Sequence, residues 1–588
     1  MLFPEESDGN LQTKLNTVPY QRGLFDPVMN FEQLKAVDSV AQNEYGLLPF
    51  LISGPPGTGK TKTIVEIALQ LLQTTKTAHI LICAPSDPAA DTLALRLRKH
   101  LNPKQLLRLN GPGRTMAEVP GALMPYCYID RDMFYLPPMP QFMKYNIVVT
   151  SVQDTSILVD ARLTNSDLHI IEKKMLSAFR PEDPLAPSPL HWGALLMDEA
   201  AQGTELEALL PLTVILPPSM YPATSPQPQF VLAGDQNQLG PRTASHTKEF
   251  AISLFERLIS RKIYTDHPLS RSKLKPSASP PVLTSAMLPI LYPPFVNLIR
   301  NYRSHPSILS VPSTLFYSDT LIPEAHFPSS PLQSFSLWRG RRWPVLFLSN
   351  NGNDEIERDG GGWYNLSEAR MACNLAQKLV TEAGVLQHKI SIMSPFAAQV
   401  KMLRELIRSN IYGLWEINIG PLEAFQGLEN RVVIICTTRT RERFLVQDQS
   451  RNLGLIGQDK KMNVAITRAK EALFVIGSPQ VLEQDPCWKE FLAFCCRNRL
   501  VDDAMDKVIL KRLGKTGKVG VLEKALICKE ERRTEVETKG RMLGGGQEIN
   551  DDEMWTAGLQ AALENFGDEH DEEGYVDEYC EENYDNDL

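Results

Sequence analysis

Short unbroken apolar runs alternate with longer helix-like segments along this 588-residue chain. Strands buried on both faces of a parallel sheet read as such runs, because crossover helices cover each face. The pattern therefore predicts an α/β protein. In the first half the runs fall at 50–53, 79–84, 147–150, 194–197 and 230–233. In the second half they fall at 345–348, 390–393, 432–437 and 473–476, with 415–419 as a further candidate. Two sheets with crossover helices fit these runs better than one sheet of nine or ten strands. The expected units are residues 30–247 and 248–500, with an N-terminal extension over 1–29 and a C-terminal one over 501–588.

Proline marks the insertions, since it cannot sit in a central strand. Proline-rich stretches lie between Leu101 and Tyr145, around 180–189, around 217–228 and over 267–294, the last separating the two halves. After Leu500 the apolar pattern fades, and Gly544-Gly545-Gly546 leads into an acidic tail. There is no internal repeat.

The net charge of −9 hides a division. From Asp551 onward there are 15 acidic residues and no Lys or Arg, which leaves the first 550 residues with 61 basic against 55 acidic, a net +6. A tail of that kind is expected to be a disordered solubiliser. The alternative is that it competes with nucleic acid for a basic groove. The nine cysteines are scattered without a CxxC pair, and Cys495 and Cys496 are adjacent, a pattern expected of reduced thiols rather than a metal knuckle. No apolar run reaches the roughly 18 residues that span a bilayer. The N-terminal MLFPEESDGN lacks the basic and apolar regions of a signal peptide, so cytosol or nucleus is the expected compartment.

GPPGTGKT, from Gly54 through Pro55, Pro56, Gly57, Thr58, Gly59 and Lys60 to Thr61, fits GxxxxGK[ST]. It lies between a strand-like run and an apolar helix, the context this motif requires. Its glycines let the backbone curl so that N–H groups face phosphates at a helix N-terminus. Lys60 would reach the β- and γ-phosphates of ATP, and Thr61 would hold Mg²⁺. The run at 194–197 leads into Asp198 and Glu199. Alone, an acidic pair there is as readily a helix cap. Beside a P-loop, Asp198 becomes the metal-binding acid and Glu199 the residue that orients or deprotonates water.

These motifs and their flanks resemble superfamily 1 helicases of the up-frameshift type, from about Asn30 to Arg499. The resemblance implies two tandem RecA-like domains with parallel sheets, a P-loop NTPase fold. It places Gln33 of NFEQLKAV at adenine and Gln238 of GDQNQLGP as the γ-phosphate sensor. In NYRSHP it puts Tyr302 on adenine and Arg303 on the γ-phosphate. FQGLE supplies Gln426, Gly427 and, in the ribose-contacting position, Glu429, while NVAITRAK supplies Arg468 as a second arginine finger. Either arginine alone would more often be a surface ion-pair residue. Both lie far downstream of Lys60, so only apposition of two domains brings them to one phosphate.

LIRNYRSHPSIL, NLGLIGQDKKMNVAITRAK and DPCWKEFLAFC resemble the Moloney-leukaemia-virus-ten, Armitage and silencing-defective group. That group translocates 5′ to 3′ on RNA and acts in RNA silencing and in transposon or virus control. The resemblance implies an ATP-hydrolysing RNA helicase, monomeric, binding single-stranded RNA and partnered by silencing or RNA-decay proteins. Matching positions on the strand track are Pro85, Ser86 and Asp87, then Thr150 and Ser151, then Pro395 and Phe396. Strand-end hydroxyls and N–H groups suit phosphate and sugar contacts, and Phe396 would stack on a base. Capping and core packing remain alternatives for each. Two departures stand out. About 30 residues precede Gln33, where the group carries a large region with an RNA-gripping β-barrel, so ATP hydrolysis is better supported than strand separation. Asp87 stands where the family usually has an RNA-contacting Asn, and a carboxylate facing phosphate weakens grip. A DNA helicase and an ATP-gated RNA clamp are the competing readings.

Overall fold

The computed structural model describes residues 23–75, 77–179, 189–243, 247–274, 292–327, 331–358, 362–425, 427–543 and 555–560; side chains are described in 23–75 and onward to 533, and again in 555–560. Among these residues two large parallel sheets form, of seven and five strands. The first holds β1 (Phe50–Ser53), β2 (His79–Ala84), β3 (Leu106–Arg108), β4 (Ile147–Ser151), β5 (Trp192–Met197), β6 (Gln229–Gly234) and β7 (Phe295–Asn297). Their spatial order is β3-β4-β2-β5-β6-β1-β7. The second holds β8 (Val345–Ser349), β9 (Ile390–Met393), β10 (Asn418–Gly420), β11 (Asn430–Cys436) and β12 (Ala469–Gly477), in the order β8-β12-β11-β9-β10. Central strands β1, β2, β11 and β12 are buried almost throughout, which is why each reads as a plain apolar run. The nine runs from 50–53 to 473–476 are all strands, only 418–419 of the further candidate 415–419 falls in one, and the split into two sheets is as expected.

Three expectations need correction. β7 pairs with β1 in register Leu51–Phe295, so the first unit continues to about residue 298 rather than ending at 247. The helix Leu254–Ile259 likewise buries Leu254, Phe255 and Leu258 in the first core. β3 lies inside a stretch read as an insertion; at three residues it is too short to carry a period. The third correction concerns the C-terminal extension. Val521, Leu522 and Ala525 of the helix Val521–Leu543 pack on Leu309, Tyr317 and Leu321, and Glu523 is buried against Arg497 and Asn498. Its first turns thus belong to the second domain.

Of the acidic tail only 555–560 is described; it is helical and buries Leu559 in that same cluster, so this piece is not a solvated coil. The rest of the tail, the stretch 180–188 and residues 275–291 lie outside the described residues. The eight described cysteines form no disulfide. No helix among the described residues is long and apolar enough to cross a membrane.

Candidate nucleotide site and nucleic-acid track

The P-loop connects β1 to the helix Lys60–Thr74, α2. Gly59 caps that helix at φ 88° without a side-chain hydrogen bond, so the first-turn N–H groups stay open to an anion. Glycine is required at two positions for steric as well as torsional reasons. A Cβ on Gly57, at φ +79°, would lie 2.5 Å from Cβ of Arg303, and one on Gly59 would lie 2.5 Å from Nε2 of Gln33. The loop is therefore wedged between the helix before it and a segment nearly 250 residues after it. Lys60 donates to the Gly54 carbonyl at 2.8 Å, and Thr58 Oγ1 donates to the Pro55 carbonyl at 2.8 Å.

Gln33 sits on the helix Phe31–Gln42, α1, capped by Asn30. Its Oε1 accepts from the Asn30 N–H at 3.2 Å and its Nε2 donates to the Thr58 carbonyl at 3.0 Å. At 1% exposure its amide braces the P-loop rather than facing an open cleft. The family's adenine role requires it to exchange these partners. Tyr302 is 45% exposed, with its hydroxyl accepting from Asn30 Nδ2 at 2.9 Å, and its ring is free for stacking.

At the end of β5, Asp198 is buried and hydrogen-bonded by the Thr61 hydroxyl. Burial, then the neighbouring Glu199 carboxylate, raises its pKa. Two hard oxygen ligands beside the phosphate loop, one a buried carboxylate without a full counter-charge, fit Mg²⁺. Glu199 takes the left-handed conformation, φ 50°, unusual for a non-glycine residue, which turns it off the strand toward Gln202 Nε2 at 3.0 Å.

From the other side come the arginines. Arg468 is buried and donates to Gln238 Oε1 at 3.2 Å, to the Leu428 carbonyl at 3.2 Å and to the Val464 carbonyl at 3.2 Å. Burial, then the nearby Arg303 charge, brings it down to about 10, so it stays charged at neutral pH. Arg303 pairs with Glu429, which Lys470 also holds. Burial alone would raise the Glu429 carboxyl; Arg303 and Lys470 outweigh it and hold it below its ordinary value. Gly427 has φ 77°, and Gln426 lies outside the described residues.

Residues that motif reading left without a role complete the arrangement. Asn301 donates to the Pro56 carbonyl at 2.7 Å and accepts the N–H groups of Arg303 and Ser304 at 2.9 Å each. Asp235, inside GDQNQLGP, accepts from Gln238 Nε2 at 2.9 Å. The signal was present in both motifs, as an Asn or Asp beside an assigned residue.

The track positions all lie at the C-terminal ends of strands, where open α/β sheets bind ligands. Ser86 is exposed, and Pro85, Asp87 and Pro395 are half-buried. Thr150 and Ser151 are buried, with Ser151 Oγ accepting the Asp154 N–H at 3.1 Å. Phe396 is 6% exposed, its ring 5.0 Å from the Arg439 guanidinium. Thr150, Ser151 and Phe396 are thus buried in this structure rather than open to solvent, with the Arg439 guanidinium beside the Phe396 ring. The Asp87 carboxylate is paired with Arg108 at 2.8 Å, with Arg114 at 3.9 Å, and both arginines also hold Asp91. Its charge is compensated from below.

Two family profiles, each described as an AAA domain, match residues 28–119 and 285–480. With these two matches and the relatives below, the chain is similar to superfamily 1, up-frameshift-like helicases, a class of ATP-hydrolysing enzymes. Within that class it is similar to MOV-10 from Gallus gallus, with 32% identity over 84% of this chain and 49% of that protein. It is also similar to the RNA helicase Mov10l1 from Homo sapiens, with 32% identity over 81% of this chain and 35% of that protein. For armi from Drosophila melanogaster the identity is 29%, over 81% of this chain and 39% of that protein. The chain thus spans half or less of the length of these relatives.

Proposed function

We propose that this chain is an ATP-driven translocase on single-stranded RNA, moving 5′ to 3′ and serving RNA silencing or RNA turnover. The observation that carries the reading is the convergence of Arg303 and Arg468, from the second domain, on the P-loop and Gln238 of the first. Hydrolysis at such a cleft is felt by both domains, which is how chemistry is coupled to stepping. Lys60, Arg303 and Arg468 would stabilise charge on the transferring phosphoryl group, and Glu199 would orient the attacking water. Thr61 and Asp198 would hold Mg²⁺, which supplies charge neutralisation at the phosphates when bound. Similarity to a protein named an RNA helicase supports RNA over DNA. Phosphate and sugar contacts at strand ends position a strand without reading its sequence.

The test is ATPase stimulation and unwinding on matched RNA and DNA duplexes with 5′ or 3′ tails. The reading expects stimulation by RNA and unwinding of the 5′-tailed RNA duplex. Equal or greater activity on DNA would make it a DNA helicase. RNA-stimulated hydrolysis without strand separation or displacement of a bound protein would make it an ATP-gated clamp.

A further inference from the structure

Tyr317 ends the helix Pro306–Phe316, α3, of the second domain, and its side chain is 1% exposed. Its hydroxyl donates to Asp235 Oδ2 at 2.8 Å and receives Asn463 Nδ2 at 2.7 Å. The same Asp235 oxygen accepts from Gln238 Nε2 at 2.9 Å, and Gln238 Oε1 accepts from Arg468. Asn463 lies on the helix Asp459–Ile466, α4, just ahead of Arg468. Asn463, Tyr317, Asp235, Gln238 and Arg468 therefore form a closed ring. It leaves the second domain, passes through two residues of the first, and returns five positions further along.

The direction of every hydrogen bond in the ring is fixed by chemistry. Arginine only donates, so Gln238 must turn its oxygen to Arg468 and its NH₂ to Asp235. An ionised carboxylate only accepts, so the Tyr317 hydroxyl must donate to Asp235 and accept from Asn463. The other Asn463 amide hydrogen goes to the Asn237 carbonyl at 2.7 Å, a second tie to the sensor loop. Burial, then the Asp235 charge, pushes the Tyr317 phenol well above its ordinary value, which keeps that donor protonated. The buried Arg271 guanidinium lies 5.7 Å from the Tyr317 ring centroid and donates to Thr320 Oγ1 at 2.9 Å.

We propose that Tyr317 is a positioning residue for ATP hydrolysis, whose hydroxyl orients Gln238 through Asp235 and ties that sensor to the helix carrying Arg468. The inference rests on the ATPase reading above. Tyr317 touches no phosphate; it acts by holding the amide of Gln238 in the one orientation that meets Arg468. Removing the hydroxyl while keeping the ring releases Asp235 and Asn463 from each other and lets the Gln238 amide rotate.

The test uses the full chain with Tyr317→Phe, Arg468→Ala and the double variant. Steady-state ATPase is measured with and without a single-stranded RNA oligonucleotide, and affinity with a fluorescent ATP analogue. Tyr317→Phe is expected to lower kcat about 10- to 100-fold, with KM and analogue affinity within about 2-fold of the parent. Because the hydroxyl acts through the Gln238–Arg468 contact, the double variant should be no slower than Arg468→Ala alone, a non-additivity that a merely structural residue does not give. If Tyr317→Phe fails to fold, Asn463→Ala removes the hydroxyl's other partner and is held to the same pattern. Parental kcat in the folded variant, or losses that multiply with Arg468→Ala, overturns the inference. A parent that hydrolyses no ATP with any nucleic acid overturns the proposed function instead, and is distinguished by that inactivity.

Discussion

Asn301 joins the two domains at the nucleotide loop, donating to the Pro56 carbonyl at 2.7 Å while its own oxygen accepts the Arg303 N–H at 2.9 Å. One side chain thus fixes the P-loop and the backbone of the first arginine together. The second arginine, Arg468, is registered through Gln238. Ala at Arg303 or Arg468 is therefore expected to lower ATPase kcat by about 10³-fold, the lower end of the range for arginine fingers. RNA binding without nucleotide should change little, because neither arginine lies at the track. Steady-state kinetics and fluorescence anisotropy check the two halves; parental turnover in both variants would refute the two-domain site.

In the proposed function Lys60 and Glu199 act on the same phosphate in different roles. Lys60→Ala removes a cation from the anion site and should abolish detectable nucleotide binding. Glu199→Gln keeps the loop, Lys60 and the Asp198–Thr61 pair, so binding persists while single-turnover hydrolysis falls about 100-fold or more. Analogue titration and rapid-quench measurements separate these outcomes. Normal turnover in Glu199→Gln would remove it from the role of base.

The strands were legible because both sheets are covered by helices, so that strand positions such as 80–84 and 432–436 have no polar face to confuse the pattern. The P-loop was legible because its chemistry is local. What escaped was long-range. Tyr317 and Asp235 are 82 positions apart, and nothing in either neighbourhood announces the other. β7 follows a proline-rich stretch that read as a boundary, whereas it is the edge of the first sheet. Thr150 and Phe396 occupy strand-end positions matching the family track. Whether such a side chain faces solvent depends on what covers it, and Arg439 over Phe396 is a neighbour the track motif does not contain.

Asp87 was expected to repel RNA, and its partners change the sign of the argument only in part. Arg108 and Arg114 compensate it, so the local field is near neutral rather than negative. Asp87→Asn leaves Asp91 to hold both arginines and adds one net positive charge at the track. Single-stranded RNA should then bind about 2- to 10-fold tighter at 50 mM salt, with the gain shrinking at 300 mM as screening grows. Anisotropy across a salt series measures this. Unchanged affinity at low salt would place Asp87 away from the strand.

Glu368, on the helix Leu366–Thr381, gives a pH dependence separate from catalysis. It is fully buried and accepts the Thr438 N–H at 2.7 Å, supporting a residue held at φ 70°. Burial raises its pKa to about 8, against the lowering effect of the Thr437 and Thr438 N–H groups. Between the ordinary value of 4.5 and about 8 the folded state keeps a proton that the unfolded chain has lost. Stability from this group is therefore greatest at low pH, falls as pH rises through that window by up to about 1.4 kcal/mol per unit, and levels off above it. Glu368→Gln keeps an acceptor for the Thr438 N–H and cannot ionise. Its melting temperature should match the parent near pH 5 and exceed it increasingly toward pH 8, because the variant no longer loses stability to the proton released by the unfolded chain. Melting curves of both chains at half-unit intervals supply the measurement, and parallel profiles would show that Glu368 is ionised in the folded protein throughout.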